Sequence, residues 1–484
     1  MSIFRKLHLN TTIKVLFFYV IFLFFNNQVG AQSKIQQIKE AVNTIQDSEW
    51  MKGGSISFHV KSLSGKPLEY GYNEETSLTP ASITKLFTTG IGLKKLGEGF
   101  KYETRVSYTG QIYNGVLDGD LVIHGAGDPT LQLRSLDSAI VASIPGLKEI
   151  KGKVIIDASL YGQLTTPPKW VWEDLGNYYG AGVASLNVND NMYYLYLKTG
   201  SQSQVASIID IKPKAPYLKV KSEVLAGEKG TGDNSFIFSS PYSDSHIIRG
   251  TLPPNRSSFK VKGGITNPDY HAGWILADTL ASQGVIIDNN EVKVVYDKNK
   301  LPIVKPLCSV FSHDLSWIIN KTNKKSINLY AEAIIKTVSI NETGSILPED
   351  ITSTLLSCIE EVGVDTQGLF LEDGSGLSPF GAFSAKHMTQ YLEQMTKDAV
   401  YPSFFKSLAV TGTSGTLKYF CKYNNAKGKI TGKSGSMRRV RSYAGFVKTS
   451  NGEILVFTVI VNNFSCKSKQ VRKALEPLMD IMAK

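Results

Sequence analysis

"LTPASITKLFTTG" (residues 78–90) sets a serine, Ser82, three residues ahead of a lysine, Lys85. Pro80 suits a first helical position behind Thr79, and Gly97 offers a stop, so a helix is expected to begin near Pro80. A spacing of three puts both side chains on one helix face, about one turn apart. The stretch is therefore either an ordinary amphipathic helix or a nucleophile beside its base. A serine hydroxyl attacks only when something takes its proton. A lysine can do so only where burial or a nearby positive charge stabilises its neutral amine. The second reading thus requires another cation near Lys85 and a polar relay between the two.

Ser-x-x-Lys alone is a weak signal, since it recurs at Ser257–Lys260 in a turn-rich loop and at Ser403–Lys406 ahead of no long helix. Only Ser82 lies at a helix start, where free N–H groups favour negative charge. Downstream, "KKSINLYAEAIIKT" carries Ser326-Ile327-Asn328 at the head of a helix, and "GKITGKSGSMRRVRSYAGF" carries Lys433-Ser434-Gly435-Ser436 entering a strand. The order Ser-x-x-Lys, Ser-x-Asn, Lys-Ser/Thr-Gly is that of the penicillin-recognising serine enzymes. Ser185-Leu186-Asn187 and Lys198-Thr199-Gly200 imitate the last two elements. They crowd together, however, and no strand–strand–helix ending follows Lys198. Ser326 and Asn328 also admit a plain reading as helix caps.

Other chemistries are poorly supplied. The seven histidines are scattered, with no pair at metal-ligand spacing, and no Gly-x-Ser-x-Gly elbow occurs. "GKITGKS" has one residue too few between its glycines for a phosphate loop, and a strand-like segment follows it. Cys308, Cys358, Cys421 and Cys466 form no Cys-x-x-Cys pair and read best as free thiols.

Around these elements the texture of the chain changes twice. Its 484 residues, 42% hydrophobic and 20% charged, point to two or three globular domains. Residues 1–31 carry Arg5, Lys6 and Lys14, then "VLFFYVIFLFF", then Val29-Gly30-Ala31, the layout of a secretory signal peptide. An uncleaved anchor is the alternative. Loss of the leader lowers the formal charge from +11 to +8. No compact basic block with interleaved aromatics argues for nucleic acid. From about 101 to 265, short alternating strands separated by Gly, Asn and Pro turns read as a β-rich insertion. Helical patterns then return, and the chain ends in two strands and an amphipathic helix.

With its three elements placed, the chain resembles the low-molecular-mass penicillin-binding proteins, specifically the D-alanyl-D-alanine carboxypeptidase/endopeptidase family related to penicillin-binding protein 4 (peptidase family S13). "IHGAGDPTL", "WVWEDLGNYYGAGVASLNVNDN", "LEDGSGLSP" and "TGTSGTLKYF" carry the likeness across residues 50–465. The resemblance implies an α/β (α+β) fold. Residues 32–100 and 266–484 would form a penicillin-binding-protein/β-lactamase-like transpeptidase domain, helices on an antiparallel sheet. Residues 101–265 would form two small β-rich inserted domains.

It also implies acyl transfer from a D-Ala-D-Ala bond, or a D-Ala cross-link, to water, outside the cytoplasm. Peptidoglycan stem peptides would be the substrates and β-lactams covalent inhibitors, with no cofactor and no metal. Ser82 would be the nucleophile, Lys85 its base, Ser326 the proton relay and Asn328 a substrate-amide partner. Lys433 would supply the second cation. Ser434 would help grip the terminal carboxylate, and Gly435 sits between it and Ser436, whose N–H would join that of Ser82 in the oxyanion hole. Asp174, with Glu173 as its rival, would hold the stem peptide's free amino group. Asp373 and Ser375 are read as scaffold near the cleft. Lys-Ser-Gly-Ser replaces the usual Lys-Thr-Gly-Thr, keeping both hydroxyls but losing the methyl groups that restrict rotation. A β-lactamase or esterase, or an inactive wall-binding relative, are the competing readings.

Overall fold

The computed structural model describes residues 32–484, apart from Lys66 and residues 288–290. The expected leader, residues 1–31, lies outside them. Among the described residues no helix is long and apolar enough to cross a membrane.

Both chain ends build one antiparallel sheet. Its six strands run Ala409–Val410, Ile430–Met437, Val440–Lys448, Ile454–Asn462, Ser55–Ser62 and Glu69–Tyr72 in spatial order. The junction between the chain's two ends is the ladder from Ser55↔Asn462 to Ser62↔Leu455. Strand Ile454–Asn462 is apolar along nearly its whole length because both its faces are covered. Successive side chains point to opposite sides. Leu455, Phe457, Val459 and Val461 pack with Ile38, Val42 and Ile45 of a helix over residues 32–46, and with Leu475 and Leu478 of the terminal helix Ser468–Ala483. Val456 and Ile460 face the other way, toward Phe87, Ile334 and Met388 of a helical layer.

That layer surrounds helix Lys85–Leu96, whose residues 85–93 are all buried. Its small residues admit close neighbours. A Cβ on Gly90 would fall 2.3 Å from the Tyr391 hydroxyl, and one on Gly92 2.5 Å from Ile334. A helix buried all round loses any polar face, which is why Lys85 enters the core with it.

Between the two halves of the sheet the chain makes two further cores. A mixed five-stranded sheet orders Val292–Val295, Val154–Asp157, Leu121–His124, Glu103–Tyr108 and Lys305–Phe311. A second unit packs strands Ser207–Lys212, Met192–Thr199 and Arg256–Gly264 against the sheet that contains Ser245–Leu252, over Tyr193, Leu195, Ile237 and Ile248.

The boundary expected at 265 is corrected here. Helix Pro268–Ser282 lies on the five-stranded sheet, burying Ala272, Ile275 and Leu276 with Val106, Ile123 and Ile156. The strands at 292–295 and 305–311 complete that same sheet. The chain therefore rejoins the helical layer only at helix Leu315–Lys325, after residue 311. All four cysteines are free.

Candidate active site

Ser82 sits in a tight 3-10 turn, Ala81–Thr84, immediately before the α-helix that starts at Lys85. Ala81 holds a left-handed backbone conformation, φ +51, which costs an alanine ~1–2 kcal/mol. Its surroundings enforce that geometry. The Ala81 carbonyl accepts from Thr84 Oγ1 at 2.9 Å. It also lies so close to Gly376 that a Cβ there would meet it at 2.2 Å.

Lys85 is 0% exposed, and Nζ donates to three acceptors: Ser82 Oγ at 3.0 Å, Asn328 Oδ1 at 2.6 Å and the Ser375 carbonyl at 2.6 Å. Burial pulls its pKa down to about 8, against the opposing pull of Asp373 and then Glu332. Lys433, also 0% exposed, donates to Ser326 Oγ at 2.7 Å and to the Ser434 carbonyl at 2.7 Å. Burial and then the charge of Lys85 hold its pKa well below the usual lysine value. Two buried amines thus compete for charge in one site.

Neither Ser326 nor Asn328 caps the helix that follows: its N-cap is Ile327, with no side-chain cap. Ser326 occupies a left-handed turn, φ +59, between helices Leu315–Lys325 and Asn328–Thr343. Its hydroxyl serves Lys433. Asn328 accepts from Lys85 and donates through Nδ2 to the Tyr179 carbonyl at 2.7 Å. On the third segment, Gly435 presses the strand against the nucleophile's turn. A Cβ at this position would lie 2.5 Å from the Pro80 carbonyl and 3.0 Å from Ser82 N. Ser436 follows at the cleft edge.

Ser82, Ser326, Asn328, Ser436, Glu173 and Asp174 line one cleft of about 1080 Å³. Lys85 and Lys433 lie beneath it. Burial raises Asp174 to about 6, against a hydrogen bond from Tyr179 and with Glu173 adding to the rise. All the expected site residues are therefore brought to one place, across 351 positions of chain from Ser82 to Lys433. The imitations lie elsewhere in structural roles. Thr199 Oγ1 donates to the Pro253 carbonyl at 2.7 Å, and Asn187 ties its own turn to Ala184 and Asn191.

The loop at 371–378, expected as scaffold near the cleft, meets Lys85 through its main chain. The Asp373 carboxylate accepts from the N–H groups of Gly376 (2.6 Å), Leu377 (2.9 Å) and Ser378 (2.9 Å), and from Trp170 Nε1 at 2.7 Å. That closed turn aims the Ser375 carbonyl at Lys85. Glu332, one turn beyond Asn328, is buried, and its Oε2 accepts from Gly374 N at 3.2 Å. Burial and then Asp373 push it up to about 7. A Glu-x-x-x-Lys pair in the otherwise apolar run "LYAEAIIK" is the sequence signal that flags Glu332 and Lys336 as buried charges.

A serine and buried lysine facing a Ser-x-Asn and a Lys-Ser-Gly strand, on a sheet backed by helices, define the class of penicillin-recognising serine enzymes. Comparison with known proteins fixes the family. The chain belongs to the D-Ala-D-Ala carboxypeptidase 3 (S13) family, whose model matches residues 37–484, and is a serine-type carboxypeptidase of that family. It is similar to the D-alanyl-D-alanine carboxypeptidase DacB of Haemophilus influenzae, at 23% identity over 440 residues, 88% of this chain and 89% of that one. It is likewise similar to the D-alanyl-D-alanine carboxypeptidase of Actinomadura sp. (strain R39), at 25% identity over 447 residues, 90% of this chain and 82% of that one. The crystal structure of the Haemophilus influenzae penicillin-binding protein 4 shares the fold, with a TM-score of 0.77 at 24% identity over 89% of this chain and 95% of that one. The same protein has been solved in complex with a β-lactam.

Proposed function

We propose that Ser82 cleaves the terminal D-Ala-D-Ala bond of peptidoglycan stem peptides, and D-Ala cross-links between them, through an acyl-enzyme formed outside the cytoplasm. The observation that carries this reading is the 3.0 Å contact between Lys85 Nζ and Ser82 Oγ, with a second buried amine across the same cleft. Ser82 Oγ adds to the scissile carbonyl while Lys85 takes its proton. The carbonyl oxygen becomes an oxyanion between the N–H groups of Ser82 and Ser436, a stabilisation worth ~3–4 kcal/mol per donor. The C–N bond then breaks, and the leaving amine receives a proton by way of Ser326. Water, deprotonated in the same manner, releases the acyl group and restores Ser82.

Lys433 explains how Lys85 comes to be neutral. The hydrogen-bond acceptors of Lys433, Ser326 Oγ and the Ser434 carbonyl, are both uncharged. A substrate carboxylate docked at Lys433 and Ser434 supplies the missing anion and favours a proton on Lys433. That positive charge drives the proton off Lys85. Substrate binding thereby activates the base. Asn328 holds the substrate amide, and Asp174 receives the stem peptide's ammonium group. β-Lactams carry a carboxylate and a reactive amide at similar spacing and acylate the same serine.

The test is direct. Purified protein and its Ser82→Ala variant are incubated with labelled penicillin and with a pentapeptide ending in D-Ala-D-Ala. A lasting adduct and D-alanine release, both lost in the variant, are expected. Rapid hydrolysis of the drug without an adduct would mark a β-lactamase instead, and inertness toward both compounds a binding protein.

A further inference from the structure

The sheet edge beside Ser82 leads past the cleft to a second, basic hollow. Strand Ala409–Val410 pairs with Ile430–Met437 only at Thr431 and Gly432. The opposite edge is paired along the full strand by Val440–Lys448. From Lys433 to Met437 one edge is therefore open among the described residues, and it borders the cleft. An extended peptide can add to such an edge through its main chain.

The direction of that peptide follows from the proposed function, on which this inference rests. With its terminal carboxylate at Lys433 and Ser434 and its scissile carbonyl between Ser82 N and Ser436 N, the rest of the peptide runs on past Ser436. It lies antiparallel to the strand and heads for the hairpin tip. Two or three residues at ~3.4 Å each bring it from Ser436 to Arg438 and Arg439.

At that tip lies a hollow of about 490 Å³, lined by Arg438, Arg439, Phe464, Cys466 and Ser468. It adjoins the catalytic cleft, since Met437 and Arg438 line both. Both arginines are exposed, and neither has an ion-pair partner among the described residues. The tip is held in place, since Asn463 N donates to the Arg439 carbonyl at 2.8 Å. Met437 pairs with Val440 across a two-residue turn, and Arg439 adopts φ +59 in it. Glycine or asparagine would occupy that conformation at lower cost. An arginine there spends conformational energy to place a guanidinium at the mouth of the site, as strained residues at functional sites do.

We infer that Arg438 and Arg439 form an anion-binding subsite for a carboxylate of the acyl-donor peptide, on the second residue upstream of the acylated D-alanine. Guanidinium groups match carboxylates through paired N–H donors, which gives the contact direction as well as charge. The subsite would make the enzyme selective for stem peptides whose upstream carboxylate is free over those in which it is amidated.

Two synthetic pentapeptides ending in D-Ala-D-Ala test this, identical except for a free α-carboxylate or its amide on that upstream residue. Wild-type kcat/KM is expected to favour the carboxylate about 5- to 10-fold at low salt, less at high salt. In R438Q/R439N the ratio should collapse toward unity. A merely structural defect would lower both peptides alike and leave the ratio unchanged. Equal rates on the two peptides in the wild type overturn the inference whatever the variant does, and so does a ratio that survives the double substitution. If neither peptide releases D-alanine and labelled penicillin leaves no adduct, the proposed activity itself has failed.

Discussion

Gly435→Ala isolates the contact that joins the third segment to the nucleophile. A Cβ at this position would lie 2.2 Å from Ser442 Oγ, 2.5 Å from the Pro80 carbonyl oxygen and 3.0 Å from Ser82 N, where ordinary contact begins near 3.4 Å. Ser442 can turn its hydroxyl aside, losing the hydrogen bond that it donates to the Pro80 carbonyl. Pro80 and Ser82 offer only main-chain atoms at these distances and cannot. The strand must therefore move away from the Ser82 turn by roughly 1 Å, a displacement that costs about 100-fold in rate where reacting groups must align. Loss of one oxyanion donor gives a similar figure, ~10²–10³-fold. Overpacking should lower stability by only ~1–3 kcal/mol, leaving a folded protein. The assay is the second-order rate constant for acylation by labelled penicillin, measured well below the Tm of the variant. Acylation within about threefold of wild type, less than 1 kcal/mol of barrier, would refute the oxyanion hole assigned to Ser82 and Ser436.

Two further substitutions probe the buried charges. With neutral Lys85 as the proposed base and burial setting its pKa at about 8, wild-type acylation should rise as pH increases through that value. Asp373 is the strongest influence raising that pKa, and Asp373→Asn should move the rise to lower pH; an unmoved pH–rate profile would count against Lys85 as the base. Lys336→Met removes the buried donor to the carbonyls of Val183 (3.0 Å) and Thr165 (3.5 Å), and should cost about 2–4 kcal/mol, read as a lower Tm. Its effect on KM for stem peptides should exceed its effect on penicillin acylation, because the loop it anchors carries Asp174 rather than Ser82.

The catalytic elements are readable in the sequence because each has a short-range geometric rule. Ser82 and Lys85 share a helical face, Ser326 and Asn328 straddle a helix start, and Lys433 to Ser436 alternate along a strand. Local spacing already fixes how each group is presented. Asp373 has no such rule. Its main partner outside its own turn, Trp170, lies 203 residues away, and a Gly-Ser turn reads as backbone chemistry. The boundary after 265 is hidden for a related reason. Helix Pro268–Ser282 is apolar on nearly every side, and its periodicity cannot say which of two sheets it covers. The helix over 32–46 has a readable stripe in Ile38, Val42 and Ile45, but it adjoins the stretch expected to be a leader.

The same buried charges that escape a local reading tie the inserted region to the chemistry. Lys336, on the helix that begins with Asn328, reaches the carbonyls of Thr165 and Val183, which flank the segment carrying Trp170, Asp174 and Tyr179. Trp170 closes the turn that points the Ser375 carbonyl at Lys85, and the Tyr179 carbonyl accepts from Asn328. Each link fixes a group in the cleft wall and a group beside Lys85 with the same polar atom or helix. A peptide bound against Asp174 and Tyr179 would therefore bear on Asn328, whose Oδ1 accepts from Lys85 alongside Ser82 Oγ and the Ser375 carbonyl. The proposed function thus couples recognition of the stem to activation of Ser82 through Asn328. A small β-lactam that touches only the carboxylate grip and the oxyanion hole bypasses this link, which is why drug acylation and peptide turnover should separate in Lys336→Met.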